Sequence, residues 1–285
     1  MIEIFAPAGI PEVRPGDDLA ELVLAAVTES PHGPLRDGDI VVVTSKIVSK
    51  AENRFIDARD KPAARLAESR RVVARRGETV IVEHRLGLVH AAAGIDTSNV
   101  EPGRALLLPV DPDASSRRIR ERLQELTGCR LGVLLSDTAG RAWRTGQVDL
   151  CLGLAGVLAL DSHVGRTDPF GNDLRVTEIA VADELAAAAE LAKTKLGGRP
   201  VAIVRGLGHL VTADDGSSAP LLREASKDFF RLGRRESVLA AVLAATGQSD
   251  RYDDLVLLDG PALTAAVRAG ADGADHDWIG RLLAQ

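Results

Sequence analysis

Leu131-Gly132-Val133-Leu134-Leu135 runs without a break into Ser136-Asp137-Thr138-Ala139-Gly140-Arg141-Ala142-Trp143-Arg144-Thr145-Gly146-Gln147. The first five residues have the length and continuous apolarity of a buried strand. The rest then falls at the exit of that strand, where folds often present reactive groups. Asp137 and Thr138 offer hard oxygen donors of the kind magnesium and manganese take. Arg141 and Arg144 offer forked donors that match phosphate or carboxylate oxygens. Metal-dependent phosphate chemistry is one reading of this stretch. A polar loop with a surface salt bridge is the other.

Outward from it, two further runs read as buried strands. Ile40-Val41-Val42-Val43 follows the turn Asp37-Gly38-Asp39, and Val201-Ala202-Ile203-Val204 lies near the chain's last third. Shorter strands are predicted over Ile2–Phe5, Thr79–Val82, Gly87–His90, Arg104–Val110 and Leu174–Ala180, with a strand, a bend and a second strand over Val148–Leu160. Helical spacing predicts helices over Leu19–Val27 (capped by Asp17), Lys61–Arg76, Ser116–Leu126, Asp183–Lys195, Ser237–Ala245 and Pro261–Val267. Strands and helices do not alternate as in a doubly wound sheet. The expected class is α+β, two-lobed, with a mixed or antiparallel sheet architecture. Neither GxxxxGK[ST] nor GxGxxG occurs, which argues against a P-loop or Rossmann core. The Gly/Asp/Ala-rich stretch Ala269–Asp275 loosens the C-terminus without marking a domain boundary.

At 285 residues and 45% hydrophobic content the chain can bury a large core without a disulfide or metal staple. Only 3% is aromatic, so Ala, Val and Leu must fill it. A net charge of −6 argues against a nucleic-acid or anionic-membrane surface, and an anionic ligand would need a local basic pocket. The few lysines (Lys46, Lys50, Lys61, Lys193, Lys195 and Lys227) therefore matter individually. Cys129 and Cys151 form no CxxC or Cys/His cluster, so a structural zinc is not expected. Glu3 and Pro7 interrupt the apolar start, so no signal peptide is read there. No stretch reaches transmembrane length, and a cytoplasmic location is the expectation.

Two more segments carry chemistry. Thr44-Ser45-Lys46-Ile47-Val48-Ser49-Lys50 sets hydroxyls and ammonium groups at a strand exit, either to hold phosphate oxygens or merely to cap a helix. In Gly94-Ile95-Asp96-Thr97-Ser98-Asn99-Val100-Glu101, Asp96 is a second candidate metal ligand and Asn99 a candidate base or phosphate contact. An Asx-turn closing a loop is the alternative. Asp96 with Asp137-Thr138 would make a divalent-metal site left open for phosphate. Asp161–Asn172 reads as a surface loop in which His163 and Arg166 could touch substrate. His84, His90 and His209 lack a nucleophile partner, so a triad hydrolase is poorly supported. Glu178, Asp183 and Glu184 are possible acids, with Asp183 as readily an N-cap.

Taken together and in order, several segments resemble the coenzyme F420-0:L-glutamate ligase (F420 gamma-glutamyl ligase) family. They are Gly9-Ile10-Pro11, Val43–Lys50, Gly94–Glu101, Ser136–Gln147, Asp168-Pro169-Phe170-Gly171, Ala182-Asp183-Glu184-Leu185 and Pro200–Gly206. The resemblance implies a GTP-dependent enzyme that joins the L-glutamate amine to the carboxylate of coenzyme F420-0, and then adds γ-linked glutamates, through an acyl phosphate. It implies Mg2+ or Mn2+, two ions, with K+ as a further candidate, and GTP as co-substrate. It also implies a homodimer that engages neither nucleic acid nor membrane. Carried over by position, Asp96 and Asp137 are metal ligands and Thr138 ligates a second metal. Ile10, Pro11, Glu12, Val13, Ser45, Lys50, Asn99, Lys193 and Lys195 contact the nucleotide. Some relatives place an oxygen ligand near Lys195; a protonated lysine cannot take that role and would meet phosphate instead. Arg141 and Arg144 join Asp137 as catalytic candidates from guanidinium geometry alone. The expected layout is a ligase domain of two interleaved lobes over residues 1–245 and a helical extension over 246–285, with no C-terminal flavin reductase domain. A ligase for another carboxylate, and a non-catalytic nucleotide- or coenzyme-binding protein, are the alternatives.

Overall fold

The computed structural model describes residues 1–271 and 277–283, so most of the stretch Ala269–Asp275 lies outside the described residues. The chain divides into two units, one built from Met1–Arg59 and Ile95–Leu222, the other from Asp60–Gly94 and Arg223–Gln285. Helices and several separate sheets mix without a regular alternation, as an α+β fold requires.

The first unit centres on a five-stranded sheet in the order Glu3–Phe5, Val201–Arg205, Ile40–Thr44, Gly132–Arg141, Arg144–Ala155. All neighbours are antiparallel except Ile40–Thr44 and Gly132–Arg141, which run parallel. Both faces are covered, which is why the central strands read as continuous apolar runs rather than alternating ones. On one face Val41, Val43, Val133, Leu135 and Ile203 pack with Val23 and Val27 of the helix Leu19–Thr28 and with Ile119 and Leu123 of the helix Pro112–Thr127. On the other, Ile40, Val42, Leu134, Ala202 and Val204 pack with Ala182, Leu185, Ala186 and Ala189 of the helix Val181–Lys193. Small alanines on that helix let it lie close to the sheet. Gly153 does the same for the opposite helix, since a Cβ there would sit 2.4 Å from the Pro112 backbone.

Several expectations need correcting. Leu131–Leu135 is only the start of a strand that continues to Arg141 and turns back as Arg144–Ala155, so the polar stretch is the arm of a hairpin, not a loop. Within Val148–Leu160 the strand and the bend, at Gly156 with φ +68, are as expected, but no second strand follows, Val157 making only an isolated bridge to Val211. Asp18, not Asp17, caps the first helix, accepting from the Ala20 and Glu21 amides at 3.0 and 3.2 Å. Asp17 instead accepts from the Arg14 amide. Asp183 lies inside its helix, not at the cap, and accepts from the Cys151 amide at 2.9 Å. Of Leu174–Ala180 only Glu178–Ile179 is strand, paired with Asp161–Ser162. Cys129 and Cys151 are free thiols.

The second unit holds a three-stranded antiparallel sheet, Ser69–Arg76, Thr79–His84 and Val89–Ala91. The helix predicted over Lys61–Arg76 ends at Ala67. Beyond it Val72 and Val73 are buried, and pairing with Thr79–His84 overrides the helical charge spacing. Within this unit the Gly233 amide donates to the Val73 carbonyl at 2.7 Å, and the Arg75 amide to the buried Glu236 carboxylate at 3.0 Å. These bonds tie the helix Arg234–Ala245 to the sheet. Among the described residues no helix is long and apolar enough to cross a membrane.

Candidate active site

The one parallel pairing in the central sheet decides where the polar groups meet. Thr44 lies opposite Ser136, and the two strands point the same way, so Ser45-Lys46 and Asp137-Thr138 emerge at the same end of the sheet. Successive strand residues face opposite sides. Asp137 therefore shares the face of Val133 and Leu135, and Thr138 the face of Leu134 and Ser136.

On the Asp137 face stand Asp96 and Lys46. The Asp96 backbone exchanges hydrogen bonds with Leu106 at 3.0 and 2.8 Å, which fixes the loop. Its carboxylate accepts from the Ser98 amide (2.6 Å) and hydroxyl (3.0 Å) and pairs with Lys46 Nζ at 2.7 Å. The Asx-turn alternative is thus real, and it coexists with the ion pair. Burial pushes the Asp96 carboxyl up, but Lys46 and Ser98 outweigh it and hold it below the usual carboxylate range. Asp137 goes the other way. Burial, joined by the charges of Asp149 and Asp96, lifts it to about 6, against the Thr138 amide and Lys46. Asp96 and Asp137 therefore converge closely enough to repel each other, and a cation between them would relieve that repulsion.

On the Thr138 face lies a network that the sequence did not suggest. Asp149, directly opposite Thr138 in the hairpin, accepts from Thr138 Oγ1 at 2.8 Å through one oxygen. Its other oxygen accepts from Ser136 Oγ and Lys193 Nζ, both at 2.8 Å, and Lys193 also donates to Ser136 at 2.8 Å. Burial raises the Asp149 carboxyl, and Lys193, Ser136 and Thr138 more than offset it, so it stays low. A lone carboxylate inside the apolar run Val148–Ala155 was the available signal, because a buried charge needs a partner.

Beside both faces opens a cleft of about 460 Å3. Ile10, Pro11, Glu12 and Val13 line it with Lys46, Lys50, Asn99 and Thr138, and the turn from Lys193 through Lys195 to Arg199 completes it. Lys50 Nζ is hydrogen-bonded to Glu12. Five cationic residues against Glu12 and Glu190 make the cleft basic within a chain of net charge −6. Of the residues singled out from sequence, Asp96 and Asp137 do not line the cleft themselves but adjoin its Lys46, and Ser45 is buried and does not line it. Arg141 and Arg144 pair with each other at the hairpin tip, beyond Thr138, and do not line it either. Lys193 lines it, yet its ammonium is turned inward to Asp149 and Ser136. Lys46, one of the strand-exit ammonium groups, lines the cleft, and Glu190 and Arg199 join it with no role foreseen from sequence.

Among the described residues no three His, Cys, Asp or Glu side chains form a ready metal cage. The donors present are two carboxylates on one side of a strand end and a hydroxyl on the other. That set fits Mg2+ or Mn2+, which take one or two carboxylates and leave their remaining positions to water and phosphate.

Hard oxygen donors, lysines and an open cleft at one sheet end are the parts of an enzyme that works on charged small molecules. A family model described as F420-0:Gamma-glutamyl ligase matches residues 8–206. The coenzyme F420:L-glutamate ligase of Archaeoglobus fulgidus is 39% identical over 249 residues, covering 81% of this chain and 96% of the relative. The enzyme of the same name from Methanothermobacter thermautotrophicus is 40% identical over 252 residues, covering 81% and 99%. That from Methanopyrus kandleri is 37% identical over 242 residues, covering 77% and 94%. The chain belongs to the F420-0:gamma-glutamyl ligase family and is a ligase.

Proposed function

We propose that the protein joins L-glutamate to coenzyme F420-0 in a reaction that consumes GTP, and then adds further glutamates through γ-links. The observation that carries this reading is a basic cleft whose wall residue Lys46 pairs with Asp96, the carboxylate that Asp137 faces. A carboxylate is a poor acyl donor because oxide is a poor leaving group. Its oxygen attacks the γ-phosphorus of GTP, the bond to the β-phosphate oxygen breaks, and GDP leaves. The amine of glutamate then attacks the acyl carbon of the mixed anhydride, loses a proton, and expels phosphate.

Each group has a part in this sequence. Lys46, Lys50, Lys195 and Arg199 neutralise phosphate oxygens in the cleft. Asn99 and the backbone of Ile10 to Val13 hold the nucleotide, and Asp96, Asp137 and Thr138 hold two divalent ions. Bound there, the ions offset the negative charge gathered as carboxylate and triphosphate approach. Arg141 and Arg144, carried on the hairpin, grip the acceptor's own anionic groups. The working form is a homodimer. The test is incubation with F420-0, GTP, Mn2+ or Mg2+ and glutamate, followed by mass spectrometry. Products heavier by glutamyl units, formed with stoichiometric GDP, are expected; an unchanged acceptor mass would overturn the reading.

A further inference from the structure

The bonds around Asp149 have a polarity that decides how Thr138 presents itself. Asp149 is paired with Lys193, the two side chains being 2% and 3% exposed. A carboxylate in that pair has no proton to give, so Thr138 must donate its single hydroxyl proton to Asp149 across 2.8 Å. The lone pairs of Thr138 Oγ1 are then directed away from Asp149, on the side of the cleft that Thr138 lines. A freely rotating hydroxyl would instead spend time with its proton in the cleft, where it repels a cation. Ser136, fully buried, and Lys193 occupy the second Asp149 oxygen and keep the carboxylate from turning.

We infer that Asp149, locked by Lys193 and Ser136, is a positioning residue that fixes the Thr138 hydroxyl as an acceptor for a divalent cation in the cleft. Lys193 thus serves the site from behind, through the carboxylate it pairs with. This rests on the cation role given to Thr138 under the proposed function.

A double-mutant cycle in Mn2+ binding tests it, read by electron paramagnetic resonance of free Mn2+ in the presence of a non-hydrolysable GTP analogue. Thr138→Val removes the hydroxyl while keeping the shape. Asp149→Asn removes the fixed polarity, because its amide can donate to Thr138 and turn the Thr138 proton outward. Asp149→Asn is expected to weaken Mn2+ binding at one site by about 10- to 100-fold, the range found for residues that orient a metal ligand. In a Thr138→Val background it should add nothing further. Asp149→Asn leaves the buried Lys193 with only Glu190, 3.4 Å away, as a counter-charge, so Asp149→Leu/Lys193→Met provides a neutral pair that offers Thr138 no acceptor. It should match the parent in circular dichroism and show the same loss of Mn2+ affinity. Parent-like affinity in the Asp149 variants, with Thr138→Val weakened, would overturn the positioning role; so would independent, multiplying effects of the two substitutions. Parent-like affinity in Thr138→Val itself would instead remove the cation role of Thr138, and this inference with it.

Discussion

Replacing Asp137 by asparagine should make the protein both more stable and inactive. Burial and the neighbouring charges of Asp149 and Asp96 lift the Asp137 carboxyl from 3.8 to about 6. The folded state therefore holds its proton more tightly than the unfolded chain does. Stability from this group is fully present below pH 3.8 and is lost as pH rises through 6. At pH 7 the displacement corresponds to about 3 kcal/mol of destabilisation, and about 2 kcal/mol after allowance for the water that reaches a half-buried group. Asparagine keeps the oxygen that accepts from the Thr138 amide and discards the charge. A gain of about 2 kcal/mol predicts a rise in Tm of about 4–8 °C at pH 7 without added metal. The gain should shrink at pH 4, where the parent carboxyl is protonated in the fold. Mn2+ should raise the Tm of the parent more than that of the variant, which keeps only Asp96 and Thr138 as ligands. Differential scanning fluorimetry at the two pH values, with and without Mn2+, reads all three effects. A variant that melts below the parent at pH 7, or gains as much from Mn2+ as the parent, would refute the reasoning.

Other substitutions probe neighbouring parts of the argument. Lys50→Met removes a cation from the cleft wall and should raise the KM for GTP about 10- to 100-fold with a smaller change in kcat, measured by initial rates; an unchanged KM would place the nucleotide elsewhere. Gly156→Ala should lower stability by about 2–4 kcal/mol in urea, since its Cβ would lie 2.3 Å from the buried, hydrogen-bonded Arg120 and its φ of +68 suits glycine. In the second unit, burial holds His84 down at about 4 despite Glu68 at 3.0 Å. Its contribution is present above the unfolded value of 6.5 and is lost as pH falls toward 4, by up to about 3 kcal/mol. His84→Gln should flatten that part of the stability–pH curve obtained by denaturant titration.

What could be read from sequence depended on how local each cause was. The runs Ile40–Val43 and Val201–Val204 announced themselves because both faces of their strands are covered. Arg70 to Arg76 did not, since charges spaced four apart mimic a helix and only pairing with Thr79–His84 makes that segment a strand. Ser136–Gln147 was chemically legible and geometrically misread. Nothing local says that the strand continues, and its continuation carries Arg141 and Arg144 away from the cleft. Asp96 and Asp137 are 41 positions apart in sequence; donor chemistry and family resemblance suggested the pair, but spacing could not place them together. The parallel register brings Lys46 beside Asp137, and the Leu106 bridge and the Lys46 ion pair hold Asp96 there, none of which a local pattern encodes. Asp149 was missed because its partners lie 11, 13 and 44 residues away.

The interleaving of the two units bears on how the chain matures. The sheet formed by residues 69–91 is made early on the ribosome, yet its Val73 and Arg75 backbone bonds to Gly233 and to Glu236 of the helix that follows, Arg234–Ala245. The first unit likewise waits for Val201–Arg205 to slot between Glu3–Phe5 and Ile40–Thr44. Neither unit can close during the first two thirds of synthesis. A nascent chain stalled before residue 201 would display unpaired strand edges from both, and these are the surfaces that a chaperone would have to shield.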